Sequence, residues 1–241
     1  MTVIQGLWIG DEISAMEQLS IASFIANSHD YHLYTYEEVG NVPSGVVIRD
    51  AGEILPRSRA FQYSHHKTWS GFANFFRYKL LLDRGGWWAD TDLVCLKPFD
   101  FDDEYVFSSE FSLGRQMVNI GAIKVPPGSE IMAYAWDVCQ TKDPEKLVWG
   151  ETGPALMQQA VEKFSIQRYV KSWQTFCPIG FRDWTKALDP DPPDVSASET
   201  YAVHLWHEMW RAANQDKNAH YHPDSLYEQL RLTYLKERRS A

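Results

Sequence analysis

Short apolar runs alternate with helical stretches along this chain. Residues 3–9 (VIQGLWI) read as a buried strand, and an amphipathic helix follows through Met16, Leu19 and Ala22. Residues 32–36 and 46–48 predict further strands, with Pro43, Gly45, Gly52 and Pro56 punctuating the loops around them. From residue 70 the period turns helical. Phe72, Phe75, Phe76 and Leu80 recur as a buried stripe, while Asn74, Arg77 and Leu81 share another, so that Asn74 and Arg77 can point at one ligand. Gly85-Gly86 predicts the helix stop. A brief extended run, Trp87-Trp88-Ala89, then delivers Asp90-Thr91-Asp92, and residues 93–96 resume as an apolar strand. Strands are predicted over 105–107, 120–125 and 201–206, with helices starting near Ser129 and over 225–239. Alternation of this kind predicts an α/β fold with a mostly parallel central sheet and flanking helices. No internal repeat is visible, and only residues 189–194 (DPDPPD) look like a linker.

Composition narrows the chemistry. The 241 residues suit one domain with its own core. Aromatic residues reach 14%, including ten Trp, and such rings serve cores as well as the faces of bases and sugars. The net charge of −9 argues against nucleic acid as a partner, because counterion-release binding needs a basic surface. Any phosphate held here must be met by a local cation or a metal. Cys95, Cys139 and Cys177 are far apart and odd in number, which predicts buried thiols rather than a disulfide framework or zinc site. The first residues lack the basic and apolar regions of a signal peptide, and no window approaches a membrane span. A cytoplasmic protein is therefore expected. The last helix ends in Lys236, Arg238 and Arg239, which fits peripheral contact with an acidic membrane surface and equally a solvated helix end.

Three Asp-x-Asp triplets occur: Asp90/Asp92, Asp100/Asp102 and Asp189/Asp191. The last two fall in charged or Pro-rich loops and read as solvated turns. Only the first leaves an aromatic strand directly after a helix and a glycine stop. Two carboxylates in so apolar a setting are costly unless a cation compensates them. Hard oxygen ligands without sulfur predict Mn²⁺ or Mg²⁺, which complete their shells with phosphate oxygens, hence a diphosphate ligand. A structural acidic turn is the alternative.

The string FFRYKLLLDRGGWWADTDLVCLKPFD resembles the sugar-binding region of glycosyltransferases with a DXD motif, of the α-1,6-mannosyltransferase and α-1,4-galactosyltransferase types. Arginine, double glycine, aromatic residue and DXD all keep that family's spacing over about thirty residues, and weaker similarity reaches residues 4–10 and 204–206. The resemblance implies a GT-A fold, Rossmann-like, forming one catalytic domain over 1–241. Residues 1–125 would bind the nucleotide sugar, and 126–241 would carry the acceptor side. It also implies a divalent metal and hexose transfer with retention, with UDP-sugar preferred as donor and GDP-sugar second. By the same resemblance Trp8, with Ile9, faces the nucleobase and Arg77 meets the donor sugar and phosphates. Asp90 touches ribose and sugar, Asp92 binds metal directly, His204 completes the metal or pyrophosphate contact, and Trp206 covers the phosphates. Relatives carry aspartate where this chain has Asn74, which still donates and accepts hydrogen bonds to a sugar.

Other positions keep two readings. Asn119 and Gly121, expected at a strand edge, suit a donor-sugar contact or a turn. Residues 151–154 (ETGP) resemble an acceptor-side element of the family and also a plain helix start with proline in its first turn. His65, His66 and Lys67 suit a phosphate or acceptor cover or simple surface positions, while His220 and His222 read as exposed. The expected activity is transfer to a glycan or lipid-linked glycan acceptor, as in assembly of a surface polysaccharide. The rivals are an inactive module that binds nucleotide sugar or carbohydrate, and a metal-dependent phosphohydrolase, which usually needs more carboxylates around two ions.

Overall fold

The computed structural model describes residues 2–64 and 67–235; His65, His66, Lys236, Arg238 and Arg239 therefore lie outside the described residues. A six-stranded sheet runs in the order β3-β2-β1-β4-β7-β6. Strands β1 (Val3–Leu7), β2 (Asp30–Thr35), β3 (Val46–Asp50) and β4 (Gly86–Ala89) are mutually parallel where they pair. Strands β6 (Val106–Ser112) and β7 (Arg115–Val125) form an antiparallel hairpin that joins the sheet through β7 against β4. The mostly parallel α/β sheet with flanking helices is as the alternation predicts. A second ladder pairs β5 (Leu93–Cys95) with β8 (Ala202–His204).

Local chemistry explains where elements begin and end. Helix α1 (Ala15–Ala26) starts in a capping box, in which Ser14 accepts from the Met16 amide and Glu17 accepts from the Ser14 amide. Helix α2 (Ser70–Arg84) stops at Gly85, whose φ of 62° and closeness to Pro127 leave no room for a side chain. The strand period then sends Trp87 and Trp88 to opposite faces of the sheet. Trp88 joins the core shared with α2, α3 (Glu130–Gln140) and α4 (Pro154–Lys163), whereas Trp87 packs with α1 and Phe99. A third cluster packs Met16 and Leu19 of α1 against Trp210, Leu226, Tyr227 and Leu230. These last residues come from α6 (His207–Ala212) and α7 (Leu226–Tyr234), so the end of the chain rests on its beginning.

Several boundaries differ from the sequence expectation. The first strand ends at Leu7 rather than Ile9, and the late strand narrows to 202–204, because Trp206 adopts a left-handed φ of 60°. Strands β6 and β7 are both longer than expected. Asn119 and Gly121 lie inside β7, not at its edge. The three cysteines are buried and free, while Asp100, Asp102, Asp189 and Asp191 are exposed. Among the described residues no helix is long and apolar enough to cross a membrane.

Candidate active site

The site forms at the carboxyl ends of β1 and β4, where ligands gather in open α/β sheets. Asp90 follows β4, and its amide donates to the Gly121 carbonyl at 2.8 Å. Leu93 donates back to the Asp90 carbonyl at 3.1 Å, closing a turn that sets Asp90 and Asp92 side by side. The Leu205 amide reaches the Asp92 carbonyl at 2.9 Å and extends the β5–β8 ladder, which brings His204 to the same point. One ligand atom from each of Asp90, Asp92 and His204 lies within 4.8 Å of the other two. Three positions far apart in sequence thus meet.

Each member has its own electrostatic setting. Arg77 is 3% exposed. Its Nη1 donates to Asn74 Oδ1 at 3.0 Å, its Nη2 binds Asp90 Oδ1, and its guanidinium lies 4.7 Å from the Trp88 ring centroid. Trp88 Nε1 also donates to Asp90 Oδ1 at 2.8 Å. Burial and the neighbouring Asp92 charge nevertheless push the Asp90 carboxyl up, against the pull of Arg77. For Asp92 burial acts in the same sense, but His204 and His207 outweigh it and hold the carboxyl well below its ordinary range. Asp92 Oδ1 sits 3.2 Å from His204 Nε2, and Oδ2 accepts from the His207 amide at 2.7 Å. His204 is carried well above its ordinary value by Asp92, despite burial. Two carboxylate oxygens and an imidazole nitrogen form a suitable donor set for a divalent cation, which would replace the proton shared by Asp92 and His204 and remove the mutual repulsion of the aspartates.

A distortion in the hairpin completes the site. Phe107 pairs with Ile123 and Ser109 with Val118, so Ser108 alone faces residues 119–122. This irregular bulge sets the Gly121 carbonyl against the Asp90 amide, with Asn119 beside it. Asn119 Oδ1 accepts from the Gly121 amide at 2.7 Å, and the Gly121 Cα lies so close to His204 that an added Cβ would stand 3.0 Å from Cε1. Gly121 is therefore a close approach between strand and imidazole.

The remaining expected residues surround this cluster. Trp8 directly follows β1 and is partly buried. Its Nε1 donates to the Glu12 carbonyl at 3.1 Å, and its ring has His207 at 6.3 Å and Lys217 Nζ at 5.6 Å. Ile9 is partly buried against the α2-side core. Trp206 stacks on His204 at 4.0 Å, and its Nε1 is used on the Ile179 carbonyl at 2.8 Å. Thr152 is fully buried beside Asn74 (3.5 Å), and Pro154 opens α4, as the helix-start reading of the ETGP segment expects. Lys67 is exposed, and so are His220 and His222, which sit near Glu228 and Asp224.

Sequence reasoning missed Trp88, His207 and Glu110. Trp88 had a signal in its position two residues before Asp90. The His207 contact is made by a backbone amide, which no residue type announces. Glu110 Oε2 accepts from Asn119 Nδ2 at 2.9 Å across the hairpin, a pairing set by the bulge rather than by spacing.

Residues 14–111 match the family described as the glycosyltransferase sugar-binding region containing the DXD motif, and residues 143–234 match the α-1,4-glycosyltransferase conserved region. A human α-1,4-N-acetylglucosaminyltransferase is 22% identical over 148 residues, covering 55% of this chain and 41% of that protein. The chain thus spans about two fifths of the length of that relative. Among solved structures, the PaToxG glycosyltransferase superposes with a TM-score of 0.52 over 69% of this chain and 70% of its own, at 20% identity, a likeness of fold.

Proposed function

We propose, from the match of residues 14–111 and 143–234 to two glycosyltransferase regions, that this chain moves a hexose from a UDP-sugar to a glycan or lipid-linked glycan acceptor in a metal-dependent, retaining reaction. The observation that carries this reading is the convergence of Asp90, Asp92 and His204 beside the buried Arg77. Those three residues would hold Mn²⁺ or Mg²⁺, which offsets the charge on a departing diphosphate. Arg77 adds a fixed planar cation on the same side, already oriented by Asn74, Asp90 and the Trp88 ring. Trp8, with Ile9 beside it, offers an aromatic face for the base. Asn74 and Asn119 offer amides to the sugar, and Trp206 steadies His204 by stacking.

Retention follows from the family resemblance. The acceptor oxygen bonds to the anomeric carbon on the face that the diphosphate leaves, and a leaving phosphate oxygen takes the acceptor proton. An inverted product, read from the anomeric proton by NMR, would remove this part of the reading.

The human relative is an α-1,4-N-acetylglucosaminyltransferase, which puts UDP-N-acetylglucosamine among the donors to test beside UDP-glucose, UDP-galactose and GDP-mannose. A thermal-shift and hydrolysis screen with Mn²⁺ and with chelator tests the proposal. Metal-dependent stabilisation by one donor, with slow release of its diphosphate, is expected. No response from any donor in folded protein would favour a carbohydrate-binding role without this donor chemistry.

A further inference from the structure

Charge accounting around the cluster singles out Glu110. Asp90 is bound by Arg77 and Trp88, and Asp92 by His204 and the His207 amide. Glu17, the other acid nearby, is held by Lys217 at 2.6 Å and His207 at 3.2 Å. Glu110 meets a neutral partner, Asn119 Nδ2, through Oε2, and its Oε1 has no partner among the described residues. It is only partly buried.

The placement is built rather than incidental. The bulge at Ser108 turns Asn119 inward, Ser108 Oγ donates to the Asn119 carbonyl at 3.0 Å, and Asn119 Oδ1 is fixed by the Gly121 amide. With Oδ1 held, the plane of the Asn119 amide is set, and one of its two N–H groups donates to Glu110. Gly121 adjoins both Asp90, through its carbonyl, and His204, through its Cα. Glu110 thus stands two hydrogen bonds beyond Gly121, the glycine that adjoins the metal cluster.

Sugar recognition needs an acceptor for hydroxyl protons, and the one carboxylate of α2, Asp83, is paired with Lys79 at 2.7 Å. Asn74 Oδ1 is already occupied by Arg77. A carboxylate there also sorts a nucleotide sugar by charge: diphosphate is drawn to Arg77 and repelled by Glu110, while neutral hydroxyls are welcome. We propose that Glu110 is a hydroxyl-binding residue of the sugar site, its Oε1 accepting a hydrogen bond from a hexose hydroxyl held beside Asn119. The proposal rests on the transferase reading above and assigns that site a specificity determinant for neutral, polyhydroxylated rings. The hydroxyl belongs either to the donor hexose or to the acceptor sugar.

The test compares the wild-type chain with Glu110→Gln and Glu110→Ala, in Mn²⁺, using UDP-glucose, UDP-galactose and UDP-N-acetylglucosamine. Donor KM is read from hydrolysis, and acceptor KM from transfer to p-nitrophenyl hexosides. Loss of a charge-assisted hydrogen bond predicts a KM about 10- to 100-fold higher for Glu110→Gln, with thermal stability close to wild type. A rise in donor KM assigns the hydroxyl to the donor hexose, and a rise in acceptor KM assigns it to the acceptor. Both KM values within twofold of wild type for both variants would overturn the proposal and leave Glu110 as a prop for Asn119. A wild-type chain that binds UDP but gains nothing from the attached hexose, with acceptor KM unchanged in both variants, would also overturn it while leaving nucleotide binding intact. A wild-type chain that binds neither UDP nor any UDP-hexose would overturn the donor reading itself.

Discussion

Asp90 and Asp92 are two residues apart and meet opposite surroundings. Asp90 shares its oxygen with a guanidinium and an indole N–H, and Asp92 is clasped by an imidazole and a backbone amide. The pair, with Arg77 and Asn74, was legible because one continuous string carries them, and burial of unpaired charge has few explanations. His204 was legible only through family resemblance, since nothing local ties it to residues a hundred positions earlier. Glu110 and His207 were not legible, because a β-bulge and a backbone amide bring them in. At this scale Trp8→Ala is expected to weaken UDP binding by about 1–3 kcal/mol, the usual loss of a base–aromatic stack. Calorimetry checks this, and unchanged affinity would move the base elsewhere.

Among the elements, the β6–β7 hairpin does most to shape the site. Its strands were read too short because residues 108–119 mix serine, glutamate, glycine and arginine with few apolar positions, and the outer part of the hairpin faces solvent. Residues 3–7 and 86–89, buried on both faces as parallel strands are, gave much clearer signals. The bulge depends on Gly121. A Cβ there would stand 3.0 Å from both Asn119 Oδ1 and His204 Cε1, so one of them must give way. Gly121→Ala is therefore expected to weaken Mn²⁺ affinity by about 10- to 100-fold, as displaced ligand supports do, while the protein still folds. Titration of Mn²⁺ followed by electron paramagnetic resonance reads the effect directly. Wild-type affinity would show that His204 does not need its present position.

Across the whole molecule, the first helix and the C-terminal segment meet beside Trp8. Glu17 of α1 is fully buried, yet it binds Lys217 and His207, whose outer faces lie against Trp8. Burial alone would push the Glu17 carboxyl up, but the His207 hydrogen bond and the Lys217 charge outweigh it and bring it from 4.5 down to about 2. A carboxyl depressed by folding contributes stability that is fully present above its unfolded pKa and is lost as pH falls through the folded one. The wild-type chain should therefore lose on the order of 3 kcal/mol between about pH 5 and pH 2 from this group alone. Glu17→Gln should be less stable at pH 7, with Lys217 left unpaired, and should show a shallower acid dependence. Parallel slopes in acid-unfolding curves of the two proteins would contradict the assignment.

The Asp90–Asp92–His204 cluster is proposed to hold the cation on which donor chemistry depends. UDP-hexose hydrolysis by wild type and by Asp92→Asn, each in Mn²⁺ and in chelator, tests it most directly. The account predicts turnover only in wild type with Mn²⁺, and a loss of at least 1,000-fold in Asp92→Asn, roughly 4 kcal/mol of transition-state stabilisation, with the fold retained by circular dichroism. Near wild-type turnover in Asp92→Asn, or turnover that survives the chelator, would contradict it.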